Sequence, residues 1–157
     1  MQDLTIGFFA TFLIWILYAG LVVLWFIDGK IRKEQVIHAL LAGMTAWVIT
    51  QLIKNIFPTV RPFMLNGLDT DVLITPTNSA FPSSHTALAF SLAVTIFMHD
   101  RKVGWWYLLG ALLIGTARVL ANVHYPIDII GGAFIGTLTA VIVEKRHMFK
   151  FLTKKKQ

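Results

Sequence analysis

The sequence has 157 residues, of which 56% are hydrophobic, and it carries a formal net charge of +6. This length suits one domain, and the apolar content is too high for an ordinary soluble one, so the composition predicts a membrane protein. The basic residues are separated by long apolar stretches, which argues against nucleic acid as a partner. The absence of cysteine excludes disulfides and thiolate–metal bonds, so stability must come from helix packing in lipid.

Five apolar segments follow one another, each near the length that crosses the hydrocarbon core as a helix. The first, residues 4–27, follows a start without basic residues and is too long for a signal peptide, so we expect a retained span. The others are predicted at residues 36–57, 85–98, 105–122 and 126–143. The predicted fold class is therefore an all-α, polytopic membrane helix bundle with about five transmembrane helices. It would form one domain over residues 1–157, with a basic tail at 144–157.

The lysine and arginine residues predict the orientation of this bundle. Most of the 14 lie in segments 28–35, 99–104 and 144–157, which share one side of the membrane if there are five spans. The positive-inside rule then places the N-terminus outside and the C-terminus in the cytoplasm. The other three cations lie near the opposite face, where an anionic ligand is needed to offset their desolvation; they are Lys54, Arg61 and Arg118.

These cations, with two serines, predict a phosphate site. Lys54 and Arg61 can offer a point charge and a planar fork to phosphate oxygens, and Arg118 can close the cage. Ser83 and Ser84 precede the third span, where a serine can cap the helix and unpaired backbone N–H groups favour an anion.

Two histidines at the same membrane level supply the chemistry. His124 lies four residues before Asp128, so the carboxylate can fix the imidazole tautomer and stabilise its cation. An oriented neutral histidine is a competent nucleophile at phosphorus, and in-line displacement would give a phosphohistidine. His85, the second imidazole, can protonate the leaving oxygen. The constellation predicts a phosphatase.

Three stretches resemble the signature motifs of the type 2 phosphatidic acid phosphatase superfamily. They are Lys54-x6-Arg61-Pro62, Pro82-Ser83-Ser84-His85 and Arg118-x5-His124-x3-Asp128. The resemblance covers residues 54–132, and the stretches around the motifs are most similar to bacterial undecaprenyl-diphosphate phosphatases of that superfamily. Ser84 stands where glycine is usual, and Ala117 where a serine usually precedes the arginine, which removes one possible hydroxyl donor to the phosphate.

The resemblance implies a metal-independent phosphatase that needs no cofactor. His124 would be the nucleophile, Asp128 its partner and His85 the general acid. The phosphate ligands would be Lys54, Arg61, Ser83, Ser84 and Arg118. The implied substrate is a lipid phosphate or diphosphate, foremost an undecaprenyl diphosphate, cleaved at the extracytoplasmic face of the cytoplasmic membrane.

Several alternatives stay open at this stage. The substrate could instead be phosphatidylglycerol phosphate or phosphatidic acid, and the same cations could hold a lipid headgroup without cleaving it, as in a binding or transport component. Vanadate-dependent halide oxidation is a further possibility, since soluble enzymes of the superfamily share the anion site, although the spans count against it. His85, His124 and Asp128 could also ligate a metal, although three nearby cations oppose this. The sequence makes no prediction of oligomeric state.

Overall fold

The computed structural model of the protein describes residues 3–27, 33–72 and 75–154, with side chains to residue 145. All regular secondary structure in these residues is helical. In chain order the helices are α1 (Leu4–Thr11), α2 (Leu13–Phe26), α3 (Lys33–Ile56), α4 (Pro62–Asn66), α5 (Ser84–His99), α6 (Arg101–Leu120) and α7 (Pro126–Lys154). The predicted all-α class is therefore confirmed.

The first apolar segment forms two helices rather than one. The helices α1 and α2 meet at Phe12 with a bend of 46°. The Asp3 side chain begins α1 by accepting hydrogen bonds from the backbone N–H groups of Thr5 and Ile6, as an N-cap residue does. The segment contains no proline at the bend, so its hydropathy alone predicts a continuous helix.

Among the described residues, three helical segments are long and apolar enough to cross a membrane, namely α3, α6 and residues 126–145 of α7, and the bent α1–α2 pair makes a fourth if it counts as one span. The remaining candidate, α5, has 16 residues and is about 24 Å long at 1.5 Å per residue, shorter than a hydrocarbon core of about 30 Å. The structure therefore supports a membrane bundle with three or four candidate spans. Five spans and the orientation of the termini stay predictions.

Two helix boundaries lie well outside the apolar runs that predicted them. Helix α6 begins at Arg101, four residues early, because the Asp100 side chain caps it by accepting from the backbone N–H groups of Lys102 and Val103. Helix α7 continues through Lys154, into the predicted basic tail, since Glu, Lys and Arg are good helix formers that hydropathy does not detect. Residues 155–157 lie outside the described part of the chain.

Helix α5 is the centre of the bundle and packs against α3, α6 and α7. Its buried face consists mostly of small residues, including Ala87, Ala89, Ser91 and Ala93. Glycine residues on α7 allow a close approach, since a Cβ atom at Gly136 would collide with the Ala87 carbonyl oxygen. Large apolar side chains cover the outside of the bundle, as expected for a surface in contact with lipid.

The chain direction alternates through α3, α5, α6 and α7, so each end of the bundle collects residues from several helices. At one end Glu144 of α7 lies between two histidines. His38 Nδ1 is 3.2 Å from Glu144 Oε1, and His99 Nε2 is 3.1 Å from Oε2, although the latter contact lacks hydrogen-bond alignment. This buried cluster links α3, α5 and α7. The opposite end contains all the predicted site residues.

The close α5–α7 contact leads to the first prediction. Gly136→Ala should lower the thermal unfolding midpoint of the detergent-solubilised protein, because the new methyl group meets backbone atoms of α5 that cannot move independently. Gly43→Ala is the matched control, since a Cβ there makes ordinary contacts of 3.4–3.5 Å with side chains only. Both changes gain about 1 kcal/mol of helix propensity, so the difference between the two midpoints isolates the clash. Equal midpoints would contradict the packing described.

Candidate active site

Helix α5 begins at the site, and its first turn is held by two contacts of Ser83. The Ser83 hydroxyl is 3.0 Å from the Thr86 hydroxyl, and the residue is the N-cap of the helix. The Ser83 backbone N–H donates to the Asp128 carbonyl oxygen at 3.0 Å. Ser83 is fully buried, and its amide and hydroxyl are both engaged by the protein. It therefore holds α5 against α7, and it does not line the cavity to which the sequence assigned it as a phosphate ligand.

Ser84, the next residue, does reach the cavity wall. Its hydroxyl oxygen accepts a hydrogen bond from Gln51 Nε2 at 3.1 Å and lies 3.0 Å from the Thr50 hydroxyl. Both partners are on α3, so Ser84 connects the starting turn of α5 with the last turns of α3. The sequence analysis did not identify Thr50 or Gln51.

Lys54 and Arg61 converge on the loop that precedes α5. The Lys54 ammonium group donates to the carbonyl oxygens of Ser79 and Ala80, which leaves one of its three N–H donors available. The Ser79 hydroxyl accepts from the Thr59 backbone N–H at 2.8 Å, and Ala80 N–H donates to Thr59 O at 3.1 Å. These bonds join the segment after α3 to the segment before α5.

The Arg61 guanidinium is almost fully buried, and protein atoms occupy all of its donors. Its N–H groups point at the Asn78 carbonyl and side-chain oxygens, at Ser79 O and at Val123 O, at 2.7–3.2 Å. The fifth points at His124 Nε2, 3.3 Å away. Burial lowers the pKa of Arg61 to about 10, so the group remains charged at neutral pH.

The Arg61 contact identifies the tautomer of His124. A guanidinium can only donate, so Nε2 must accept and the ring proton lies on Nδ1. Nδ1 is 3.3 Å from Asp128 Oδ2, which also accepts from the Tyr125 backbone N–H at 2.8 Å. The predicted proximity of His124 and Asp128 is present, with the Nε2 lone pair directed away from the carboxylate.

Local structure explains the position of His124. Asn122 has a positive φ of 61°, a conformation that asparagine tolerates better than most residues. The turn lets the backbone N–H groups of Val123 and His124 both donate to the Arg118 carbonyl oxygen. Pro126 then begins α7, at a helix position that needs no N–H donor.

Electrostatics keep the His124 imidazole neutral. Burial lowers the pKa of His124, the hydrogen bond that its Nδ1 donates to Asp128 opposes this shift, and the charges of Arg118 and Arg61 add to the lowering. The net effect is a pKa below the ordinary imidazole value, so at neutral pH the Nε2 lone pair is present.

Arg118 carries donors without partners among the described residues. Its Nη1 donates to the Ala10 carbonyl oxygen at 3.3 Å, and its buried Nε makes no hydrogen bond. Ala10 lies in the last turn of α1, where carbonyl oxygens lack helical partners. A buried guanidinium with unused N–H groups is suited to an anion. Ala117, beside it, packs in a small apolar cluster with Ala10 and Val123.

A cavity of about 170 Å³ lies between these groups. Six of the eight predicted site residues line it, together with four others; the list is Lys54, Arg61, Ser84, His85, Arg118 and His124, with Trp47, Gln51, Pro76 and Asn78. Asp128 lies behind His124. The loop residues Pro76 and Asn78 were missed because nothing in the local sequence indicates that the loop folds back over the cations.

The metal alternative finds no support in this geometry. In the ranges 3–27, 33–72 and 75–145, no three His, Cys, Asp or Glu side chains form a group able to hold a metal ion. The cavity has three cationic side chains at its wall, which suits an anion. That the reaction needs no metal remains an expectation from the family resemblance.

Comparisons with known proteins agree with this site. The family model of the PAP2 superfamily matches residues 35–151. The chain is 31% identical over 143 residues to the bacitracin transport permease protein BcrC of Bacillus licheniformis, covering 91% of this chain and 70% of that protein. It is 27% identical over 118 residues to the undecaprenyl-diphosphatase BcrC of Bacillus subtilis strain 168, covering 75% of this chain and 61% of that protein.

Among solved structures, the fold is similar to that of LpxE from Aquifex aeolicus. The TM-score is 0.75 and the identity 30%, over 92% of this chain and 88% of that one. The three family motifs fall inside the matched residues 35–151. The chain therefore belongs to the PAP2 superfamily and is a hydrolase of the phosphatase class.

Proposed function

We propose that this chain is a membrane lipid phosphatase that removes the terminal phosphate of a polyprenyl diphosphate through a phosphohistidine. One observation carries the proposal: His124 presents the Nε2 lone pair at a small cavity lined by three cations, while Asp128 holds the opposite ring nitrogen. The polyprenyl substrate is supported by the family resemblance and by the name undecaprenyl-diphosphatase given to a relative.

In the proposed reaction, His124 Nε2 attacks the terminal phosphorus and the bond to the bridging oxygen breaks. The electron pair goes to that oxygen, and His85 supplies its proton from the imidazolium form, which the negative charge of the bound substrate favours. Lys54 and Arg118 stabilise the charge on the equatorial oxygens with their available donors. Water then attacks the phosphohistidine, transfers its proton to His85 and releases inorganic phosphate, which restores the Nε2 lone pair.

Arg61 also has a role in the proposed reaction. Its Nη1 contact occupies His124 Nε2, and its other N–H groups donate to oxygen atoms of Asn78, Ser79 and Val123. An incoming phosphate dianion is a stronger acceptor than a neutral imidazole, so the Nη1 donor turns to the phosphate and frees the nucleophile. Ser83 acts in support of the site, by fixing the start of α5.

The membrane arrangement belongs to the same proposal. We place the single domain, residues 1–157, in the cytoplasmic membrane with α5 as an additional short span. The N-terminus is then outside and the site lies at the extracytoplasmic ends of α3, α5, α6 and α7. The distribution of basic residues supports this orientation.

Two alternatives are separated by experiment. Phosphatidylglycerol phosphate and phosphatidic acid also carry a terminal phosphate, as a monoester rather than an anhydride, so a substrate panel with purified protein decides among the three lipids. A non-catalytic binding or transport component is favoured only by the name of one relative, the bacitracin transport permease protein BcrC. It predicts lipid binding without turnover.

The nucleophile is tested by His124→Ala. We expect phosphate release from detergent-solubilised protein to fall by roughly 10³-fold or more, since the proposed reaction loses the group that accepts the phosphoryl group. Alkaline quenching of the reaction with a labelled diphosphate should trap label on wild-type protein and none on the variant. His99→Gln is the matched control, because it changes a histidine about 21 Å from His85 along α5. Equal phosphate release by His124→Ala and wild type would exclude the mechanism.

The anion site is tested with orthovanadate, which resembles the five-coordinate phosphorus. Orthovanadate should inhibit the wild type, and Arg118→Gln should raise its inhibition constant about tenfold or more, because charge-assisted hydrogen bonds contribute about 1.5–3 kcal/mol. Arg101→Gln, at the exposed start of the same helix, should leave the constant unchanged. An inhibition constant in Arg118→Gln equal to that of wild type would show that Arg118 does not contact the anion.

A further inference from the structure

The phosphate cavity is too small to contain a whole lipid. Its volume of about 170 Å³ lies below the roughly 300–1,000 Å³ of sites that enclose a drug-sized ligand. It has room for a phosphate group and a few water molecules. The hydrocarbon part of any lipid substrate must therefore lie elsewhere on the protein or in the bilayer.

A second, apolar groove of about 330 Å³ adjoins this cavity. Side chains of α2, α3 and α5 line it, namely Tyr18, Leu40, Met44, Trp47 and Leu88. Trp47 is part of the wall of both spaces, so the groove and the phosphate cavity lie next to each other at this side chain. We name this space the chain groove.

The surface of α3 that borders both spaces is a single stripe with two halves. Residues 40, 44, 47, 51 and 54 follow one another at intervals of three or four, so they share one helix face. The stripe is about 21 Å long at 1.5 Å per residue. Its first three side chains are apolar, whereas Gln51 and Lys54 are polar. This division matches an amphiphile with its phosphate at Lys54.

The chain groove is open to the side of the bundle. Met44 is 68% exposed, and Leu40 and Trp47 are also exposed, on a helix long and apolar enough to cross the membrane. A hydrocarbon chain can therefore enter laterally from the bilayer. Transfer from lipid to this groove gains little from the hydrophobic effect, so the groove selects by shape and by direction rather than by apolarity.

We propose that the chain groove binds the first part of a single hydrocarbon chain attached to the phosphate that is cleaved, and that it thereby favours single-chain lipid phosphates over two-chain ones. The inference rests on the proposed function. In this proposal, one chain passes beside Trp47 from the phosphate cavity into the groove. A second chain on the same headgroup would have to leave the cavity by another path.

The first test fills the chain groove with a larger side chain. Met44→Trp places a larger side chain at an exposed position, so it should fold. We expect kcat/KM for a long-chain polyprenyl diphosphate to fall about tenfold or more, because the larger ring occupies the path of the chain. For isopentenyl diphosphate, which is short and water-soluble, kcat/KM should stay within about twofold of wild type. Leu41→Trp, on the same helix but outside the groove, is the matched control and should change neither value.

A binding measurement makes the result independent of turnover. A long-chain polyprenyl monophosphate should bind Met44→Trp about tenfold more weakly than it binds Leu41→Trp or wild type. Equal affinities, or an equal loss of activity on long and short substrates, would refute the chain groove. Failure of the wild type to hydrolyse either diphosphate would instead refute the proposed function, while the affinities would still decide on the groove.

Discussion

Asp128 contacts both His124 and the start of α5, and the rest of the site depends on these contacts. Its carboxylate accepts from the ring of His124 and from the Tyr125 backbone, whereas its carbonyl oxygen accepts from Ser83 N–H at the start of α5. One residue in the first turn of α7 therefore orients His124, the proposed nucleophile, and fixes the helix that begins at the cavity. Because Asp128 is buried, water does not compete with these bonds.

An anion site in a membrane requires positive charge to be buried at one end of the bundle, and this burial is unfavourable because the cations lose their hydration. Loop carbonyl groups at residues 78–80 offset part of it by accepting from Lys54 and Arg61. Arg118 is compensated least, since a buried N–H has no acceptor among the described residues. These carbonyl groups fix the positions of the Lys54 and Arg61 side chains, and the N–H donors that remain make the site suited to phosphate. The Glu144 cluster links three of the same helices at the opposite end, where the side chains that the structure describes include no comparable surplus of buried positive charge.

Much of this could be predicted from the sequence, because the determining signals are periodic or local. Apolar runs located the helices, and the spacing of His124 and Asp128 implied their contact. The break at Phe12 and the extension of α7 could not be predicted from hydropathy, since neither changes the apolar content. The engagement of Ser83 by Asp128 and of Arg61 by the Asn78 loop depends on where carbonyl oxygens point after folding. No pattern of residue types encodes that direction, and the same is true of the chain groove, which needs three helices in place.

The proposed reaction requires that His124 Nε2 and the buried cations converge on a single phosphorus atom. An experimental structure with bound orthovanadate tests it most directly. We expect vanadium bonded to His124 Nε2 in the cavity, with Lys54 and Arg118 donating hydrogen bonds to the vanadate oxygens. We also expect Arg61 Nη1 to have turned from the imidazole to the vanadate. Vanadate bound away from His124, or His124 still paired with Arg61 while vanadate occupies the cavity, would contradict it.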